Sequence, residues 1–168
     1  MLSFISLGSG SSGNSALVYT EKTFVLVDAG ISAKQLRIRL KDVGVDPDKL
    51  DGILITHEHG DHTGGNHAVI EATGAKLIAH ENAQGKIEGI DQGLKAGDVV
   101  KVGKSAELLA LDTPGHTMSH ICLLSKTDTP ALFSGDTLFN AGAGNCGGGG
   151  HPEELYETFV SQLEKLAD

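Results

Sequence analysis

Cations, cysteines and long apolar runs are all scarce in this sequence, and each shortage removes a class of protein. Lys and Arg number 13 against 22 Asp and Glu, for a formal charge of −9. Affinity for a nucleic-acid backbone comes mainly from clustered Lys and Arg, so a broad phosphate-binding face is not expected, although a local basic groove is compatible with this balance. The two cysteines, Cys122 in an apolar run and Cys146 in a glycine tract, show neither CxxC spacing nor a paired framework, which suits a reducing compartment. No apolar run approaches membrane-spanning length, and the start Met1-Leu2-Ser3-Phe4 lacks the basic opening of a secretory signal. The expectation is a soluble cytoplasmic protein without a membrane partner. Internal repeats, linkers and blocks of like charge are absent as well.

What is present suits one globular domain spanning residues 1–168, with 39% hydrophobic and 21% charged residues. The 23 glycines predict many short connections. Apolar runs bounded by Gly, Asp or Pro predict strands at Leu2–Leu7, Ala16–Tyr19, Phe24–Val27, Ile53–Ile55, Lys76–Ala79, Ala106–Leu111, Ile121–Leu124 and Ala131–Phe133. Three helices are expected. The first carries Ala33, Leu36, Leu40 and Val43 on one face behind a Ser32/Gln35 capping pair. The second covers roughly 65–73. The third opens at His151-Pro152-Glu153-Glu154 and carries Leu155, Phe159, Leu163 and Leu166 as a stripe. Strands mixed with crossing helices make the fold class α/β. The tract Gly142–Gly150 reads as a flexible loop by composition.

One motif misleads. Gly8-Ser9-Gly10-Ser11-Ser12-Gly13 has the GxGxxG spelling of a dinucleotide site, but that site needs a helix next, whose N-terminus holds the pyrophosphate. Here Ala16-Leu17-Val18-Tyr19 continues as a strand, so the segment reads as a hairpin loop that could border an active site.

The chemistry concentrates elsewhere. The strand Ile53-Leu54-Ile55-Thr56 runs into His57, His59, Asp61 and His62, four potential metal ligands within six residues. Two neutral imidazoles separated by one residue in a curved loop can converge on one ion, and Asp61 with His62 can turn to another. Asp112-Thr113-Pro114-Gly115-His116 and Ser134-Gly135-Asp136 each place a further ligand type after a strand, and a carboxylate such as Asp136 can bridge two cations. His and Asp ligands admit zinc, iron or manganese. Asp28 and Asp112 each have two readings, as orienters of a ligand histidine through its second N–H or as ordinary turn aspartates. His120 reads as a buried histidine near a ligand, His151 as a surface residue at a helix start, and His67 and His80 as solvent-facing.

The order His57-x-His59-x-Asp61-His62, then His116 in Thr-Pro-Gly-His-Thr, then Asp136 in Gly-Asp-Thr-Leu-Phe, resembles the metallo-β-lactamase superfamily. From about Thr56 onward, through Thr113–His120 and Ser134–Gly144, the chain is similar to the hydroxyacylglutathione hydrolases, or glyoxalase II. The amino-terminal third, with Ser6–Ser15 and Val27-Asp28-Ala29-Gly30, is closer to a nuclease-like branch. Two origins fit, a divergent natural member or a chimera joined near the His57 loop. The resemblance implies a four-layer αββα sandwich. It also implies two divalent metal ions, expected to be zinc. His57, His59 and His116 would hold the first, Asp61 and His62 the second, with Asp136 bridging, and Asp61 and Asp136 as the catalytic carboxylates.

Relatives of this type continue past the equivalent of Asp168 into a strand with one more ligand histidine and a helical domain, so the resemblance implies a weaker second site. The family's substrate-binding Lys and Tyr fall on Asn145 and Gly147. The expected activity is hydrolysis of a small thioester of the hydroxyacylglutathione type by a metal-bound hydroxide. The alternatives are a phosphodiesterase or nuclease, since two metals also stabilise phosphoryl displacement, and a metal-binding scaffold with little activity. The oligomeric state is not legible in the sequence.

Overall fold

A computed structural model of the chain describes residues 1–127 and 130–166. A six-stranded sheet contains β1 (Ser3–Gly8), β2 (Ser15–Tyr19), β3 (Phe24–Val27), β4 (Gly52–Leu54), β5 (Lys76–His80) and β6 (Gln92–Leu94), in that spatial order. The first three pair antiparallel, and β3 to β6 run parallel. A second, antiparallel sheet is built from β7 (Val99–Val102), β8 (Ala106–Asp112), β9 (Ile121–Ser125) and β10 (Ala131–Phe133), in the order β10-β9-β8-β7.

Period-two alternation along the first sheet explains the layering, because successive side chains point to opposite faces. Leu17, Leu26, Ile53 and Leu77 pack on one face against Leu36, Leu40 and Val69 of the helices α1 (Ala33–Asp42) and α3 (Asn66–Thr73). Val18, Val25, Val27 and Leu54 point the other way, onto Val100, Leu108, Ala110, Ile121 and Leu123 of the second sheet. Burial of each such side chain contributes about 1.5–3 kcal/mol, so the two apolar layers dominate the folding free energy. Ser32 caps α1 by accepting from the Gln35 N–H at 3.3 Å, as its spacing predicts. Gly74 closes α3 in the left-handed region, φ 70°.

All eight expected strands are present. Two more are not in the sequence reading, β6 and β7. β6 is mostly exposed and without alternation, and exists because β5 offers it a parallel edge. β7 does alternate, exposed at Val99 and Lys101 and buried at Val100 and Val102, but is only four residues long. The loop expected after His57 contains one helical turn, α2 (Gly60–Thr63), so Asp61 and His62 sit on a helix. The last helix, α4 (Pro152–Thr158), continues as a wider π turn over Phe159–Leu163. His80 is buried, a correction to its expected solvent exposure. Its Nδ1 accepts from the Asn82 N–H at 3.0 Å and its Nε2 lies 3.3 Å from Asp112 Oδ1. His67 is exposed, as expected. Among the described residues no helix is long and apolar enough to cross a membrane.

Candidate metal centre

Four strand ends meet at one edge of the sandwich. β3 hands over Asp28, β4 leads through Thr56 to His57, β8 ends just before His116, and β10 just before Asp136. Asp28 adopts φ 62°, a conformation uncommon for a residue with a side chain, and its buried carboxylate accounts for it. It accepts from the Thr56 N–H at 2.8 Å, the Thr56 hydroxyl at 2.9 Å and His62 Nδ1 at 2.7 Å. Of the two readings of Asp28, the structure selects the orienter of a histidine. Asp112 instead faces His80.

These partners fix which ring nitrogens carry protons. His57 Nδ1 lies 3.1 Å from Thr56 Oγ1, whose own proton goes to Asp28, so His57 donates there and turns a bare Nε2 inward. His116 Nδ1 lies 2.6 Å from the Asn145 carbonyl oxygen, which can only accept, so its Nε2 is bare too. His59 Nδ1 sits 3.2 Å from the first of these nitrogens and 3.1 Å from the second. His59 could donate to only one of them. With the His59 proton on Nε2, three nitrogen lone pairs would converge, the donor set that a divalent ion such as zinc requires.

A second group joins His57, His62 and Asp136. With Nδ1 committed to Asp28, His62 directs Nε2 at Asp136 Oδ1, 3.2 Å away, while Asp136 Oδ2 lies 3.6 Å from His116 Nε2. The two oxygens of Asp136 therefore face different nitrogen sets. Asp61 stands at the margin, its Oδ2 3.6 Å from His62 Nε2 and accepting from Asn14 Nδ2 at 3.2 Å. It lies outside both tight groups.

Residues outside the expected ligand set hold this arrangement, among them Asn14 and Gly144, which sequence reasoning passed over. Asn14, from the decoy glycine loop, bonds Asp61 and also lies 3.0 Å from His62 Nε2. His120 is fully buried, its Nδ1 2.9 Å from the Thr113 hydroxyl, and its Nε2 accepts the Asp136 N–H at 3.2 Å. Gly144 is required by crowding, since a Cβ there would lie 2.2 Å from the Asp136 carbonyl oxygen and 2.6 Å from His116 Nδ1. His151 is exposed, in keeping with a surface role.

Glu58, between two of the histidines, ties their loop to the His116 loop. It accepts from Lys86 Nζ at 2.6 Å, Thr117 Oγ1 at 2.9 Å and Ser119 Oγ at 2.8 Å. Burial works against its charge, but the Lys86 bond and the others outweigh burial and lower its pKa to about 2. Glu58→Ala is expected to lower unfolding free energy by about 1–3 kcal/mol, the cost of stranding polar partners of a charged group. Urea denaturation with a chelator present measures it, and an unchanged midpoint would contradict the clamp.

Burial depresses the pKa of His57, with the neighbouring histidines adding to the effect, and burial likewise depresses His116. It takes His120 down to about 3. His62 moves the other way. Burial disfavours its charge, yet bonds to Asp136 and Asp28 prevail and raise it to about 10, so the cluster already holds one positive charge between carboxylates where a cation would sit.

The sequence profile described as the metallo-beta-lactamase superfamily matches residues 8–167. A hydroxyacylglutathione hydrolase of Polaromonas sp. is 69% identical over 116 residues, which is 69% of this chain and 44% of that protein. One of Nitrosococcus oceani is 62% identical over 118 residues, 70% of this chain and 45% of that protein. The chain thus spans less than half the length of these relatives. Among solved structures, the BLEG-1 B3 metallo-beta-lactamase superposes with a TM-score of 0.85 at 24% identity, over 98% of this chain and 87% of that one. ETHE1 from Myxococcus xanthus gives 0.80 at 28% identity, over 97% and 70%.

Proposed function

The chain belongs to the metallo-beta-lactamase superfamily, and from that premise we propose that residues 1–168 form one domain hydrolysing small thioesters of the hydroxyacylglutathione type with two divalent metal ions. The observation that carries this is Asp136, whose oxygens face His62 on one side and His116 on the other. His57, His59 and His116 would hold the first ion. Asp61, His62 and Asp136 would hold the second, less tightly, because Asp61 is half open and shared with Asn14. The donor set suits zinc and also accepts iron or manganese. Such ions supply Lewis acidity and lower the pKa of water towards neutrality.

The chain's own groups do the rest. Asp28 keeps a proton of His62 on Nδ1, and Thr56 and the Asn145 carbonyl do the same for His57 and His116, so each ring is oriented to offer its other nitrogen, His62 once an ion displaces its Nε2 proton. His120 fixes the backbone of Asp136. No further side chain need act as a base, and a thiolate leaves without an acid. Both thiols, Cys122 and Cys146, are free, which supports a cytoplasmic setting.

Zinc-, iron- and manganese-loaded protein should be assayed with S-D-lactoylglutathione and with single- and double-stranded DNA. Thioester turnover that a chelator abolishes is expected, with the DNA intact. DNA cleavage without thioester turnover would reassign the site to the nuclease branch, and ion binding without either activity would make it a scaffold.

A further inference from the structure

A cavity of about 490 Å³ opens beside His62 and Asp136, between the β1–β2 loop and the segment after β10. A larger one, about 640 Å³, lies behind α2 and α3 around Ile70 and Lys86, and includes none of the proposed ligands. The smaller cavity therefore concerns the substrate. Among the described residues its charged ones are Asp28, His62 and Asp136, all of the candidate metal centre, and none is a lysine or arginine. Arg39, close behind Gly8, is bonded to the Leu7 carbonyl instead. Away from the metal centre the walls are neutral, with Ser6, Ser9 and Ala16 on one side and Phe133, Leu138 and Phe139 on the other. Phe139 and Leu138 are 47% and 38% exposed, adjacent apolar side chains that a bound apolar group would cover. Phe4, itself 54% exposed, packs edge-on to Phe133 at 5.6 Å and extends the apolar rim.

Resting on the thioester reading above, we infer that this cavity receives the acyl arm of the substrate, and that the arm is neutral with an apolar end longer than lactoyl. A carboxylate at the far end of that arm would leave water for neutral walls that offer it no lysine or arginine among the described residues. An alkyl end would instead lie on the half-buried Phe133 and the exposed Leu138 and Phe139, and gain by burial. The charged portions of a glutathione-like thiol have no partner here and must lie outside the cavity.

The test uses N-acetylcysteamine thioesters, which share one small thiol, on zinc-loaded protein. Hexanoyl should exceed acetyl, and also the charged glutaryl, by about tenfold in kcat/KM, the discrimination that a few partly buried methylenes provide. Phe139→Ser with Leu138→Ser, both at exposed positions, should cut the hexanoyl-to-acetyl ratio several-fold. Independently of turnover, hexanamide added to 15N-labelled protein should shift the amide resonances of Ser6, Gly8, Leu138 and Phe139, and glutarate should not. Glutaryl equal to or above hexanoyl, an unchanged ratio in the double variant, or shifts confined to the cavity around Ile70 and Lys86 would overturn the inference. If no thioester is cleaved while hexanamide produces the expected shifts, the thioester reading falls and the assignment of the cavity stands.

Discussion

His116→Ala is expected to strip the first ion and abolish hydrolysis. The three inward nitrogens of His57, His59 and His116 come from two separate strand ends, and His116 is the one of the three that follows a strand of the second sheet. Removing even an outer partner of a ligand lowers metal affinity about 10- to 100-fold, so loss of a ligand itself should exceed about 100-fold. Turnover should fall by more than about 1000-fold, since the site would lose both an ion and the register of Asp136, whose Oδ2 faces the same ring. Elemental analysis after dialysis reads the ion directly. Thermal melting gives a second readout, because an ion that binds only the folded state raises Tm, and the gap between loaded and chelated protein should shrink in the variant. His67→Ala, at an exposed position outside both candidate groups, serves as the control. Wild-type metal content in His116→Ala would sink the ligand assignment.

Stability of the ion-free protein should pass through a maximum near pH 6.5 and fall steeply on the acid side. His57, His116 and His120 are held below the ordinary histidine pKa by burial. As pH drops below the unfolded value of about 6.5, the unfolded chain takes up three protons that the folded chain refuses. Each costs up to about 1.4 kcal/mol per pH unit, or at most about 4 kcal/mol per unit together. His62 contributes with the opposite sign. Its pKa is raised to about 10 when folded, so its contribution is complete below about pH 6.5 and is lost as pH rises towards 10. Urea unfolding in chelator from about pH 5 to about pH 8 measures the slope, and His120→Gln should reduce it by roughly a third. A flat profile would mean that these rings are protonated in the folded protein.

The candidate metal centre was unusually legible because its proposed ligands cluster in sequence. His57, His59, Asp61 and His62 lie in one short segment, and His116 and Asp136 each follow a strand through a glycine turn. The strands were legible for a similar reason, since alternation such as Leu17/Val18 or Ile53/Leu54 is a local pattern imposed by burial on two faces. Helix starts were equally local, as the Ser32 cap shows. Where the local signal was thin, the reading failed, and β6 is the example, a strand made by its neighbour rather than by its own residues.

Everything that holds the ligands in place depended on partners remote in the chain. Asn14 meets Asp61 across 47 residues and Glu58 meets Ser119 across 61, separations that no spacing rule reaches. The choice between an orienting and an ordinary Asp28 was open until β3 and β4 paired and set its carboxylate under His62. His80, a polar ring that exposure statistics assign to solvent, is buried because Asn82 and Asp112 satisfy it. By itself the sequence determined the candidate donor residues, the strands that carry them and the superfamily, because side-chain chemistry and burial periodicity are written over a few neighbouring residues. Only the tertiary structure decided how the ring nitrogens are oriented, which carboxylate spans both halves and which cavity has neutral outer walls, because these depend on pairings between strand ends that only folding brings together.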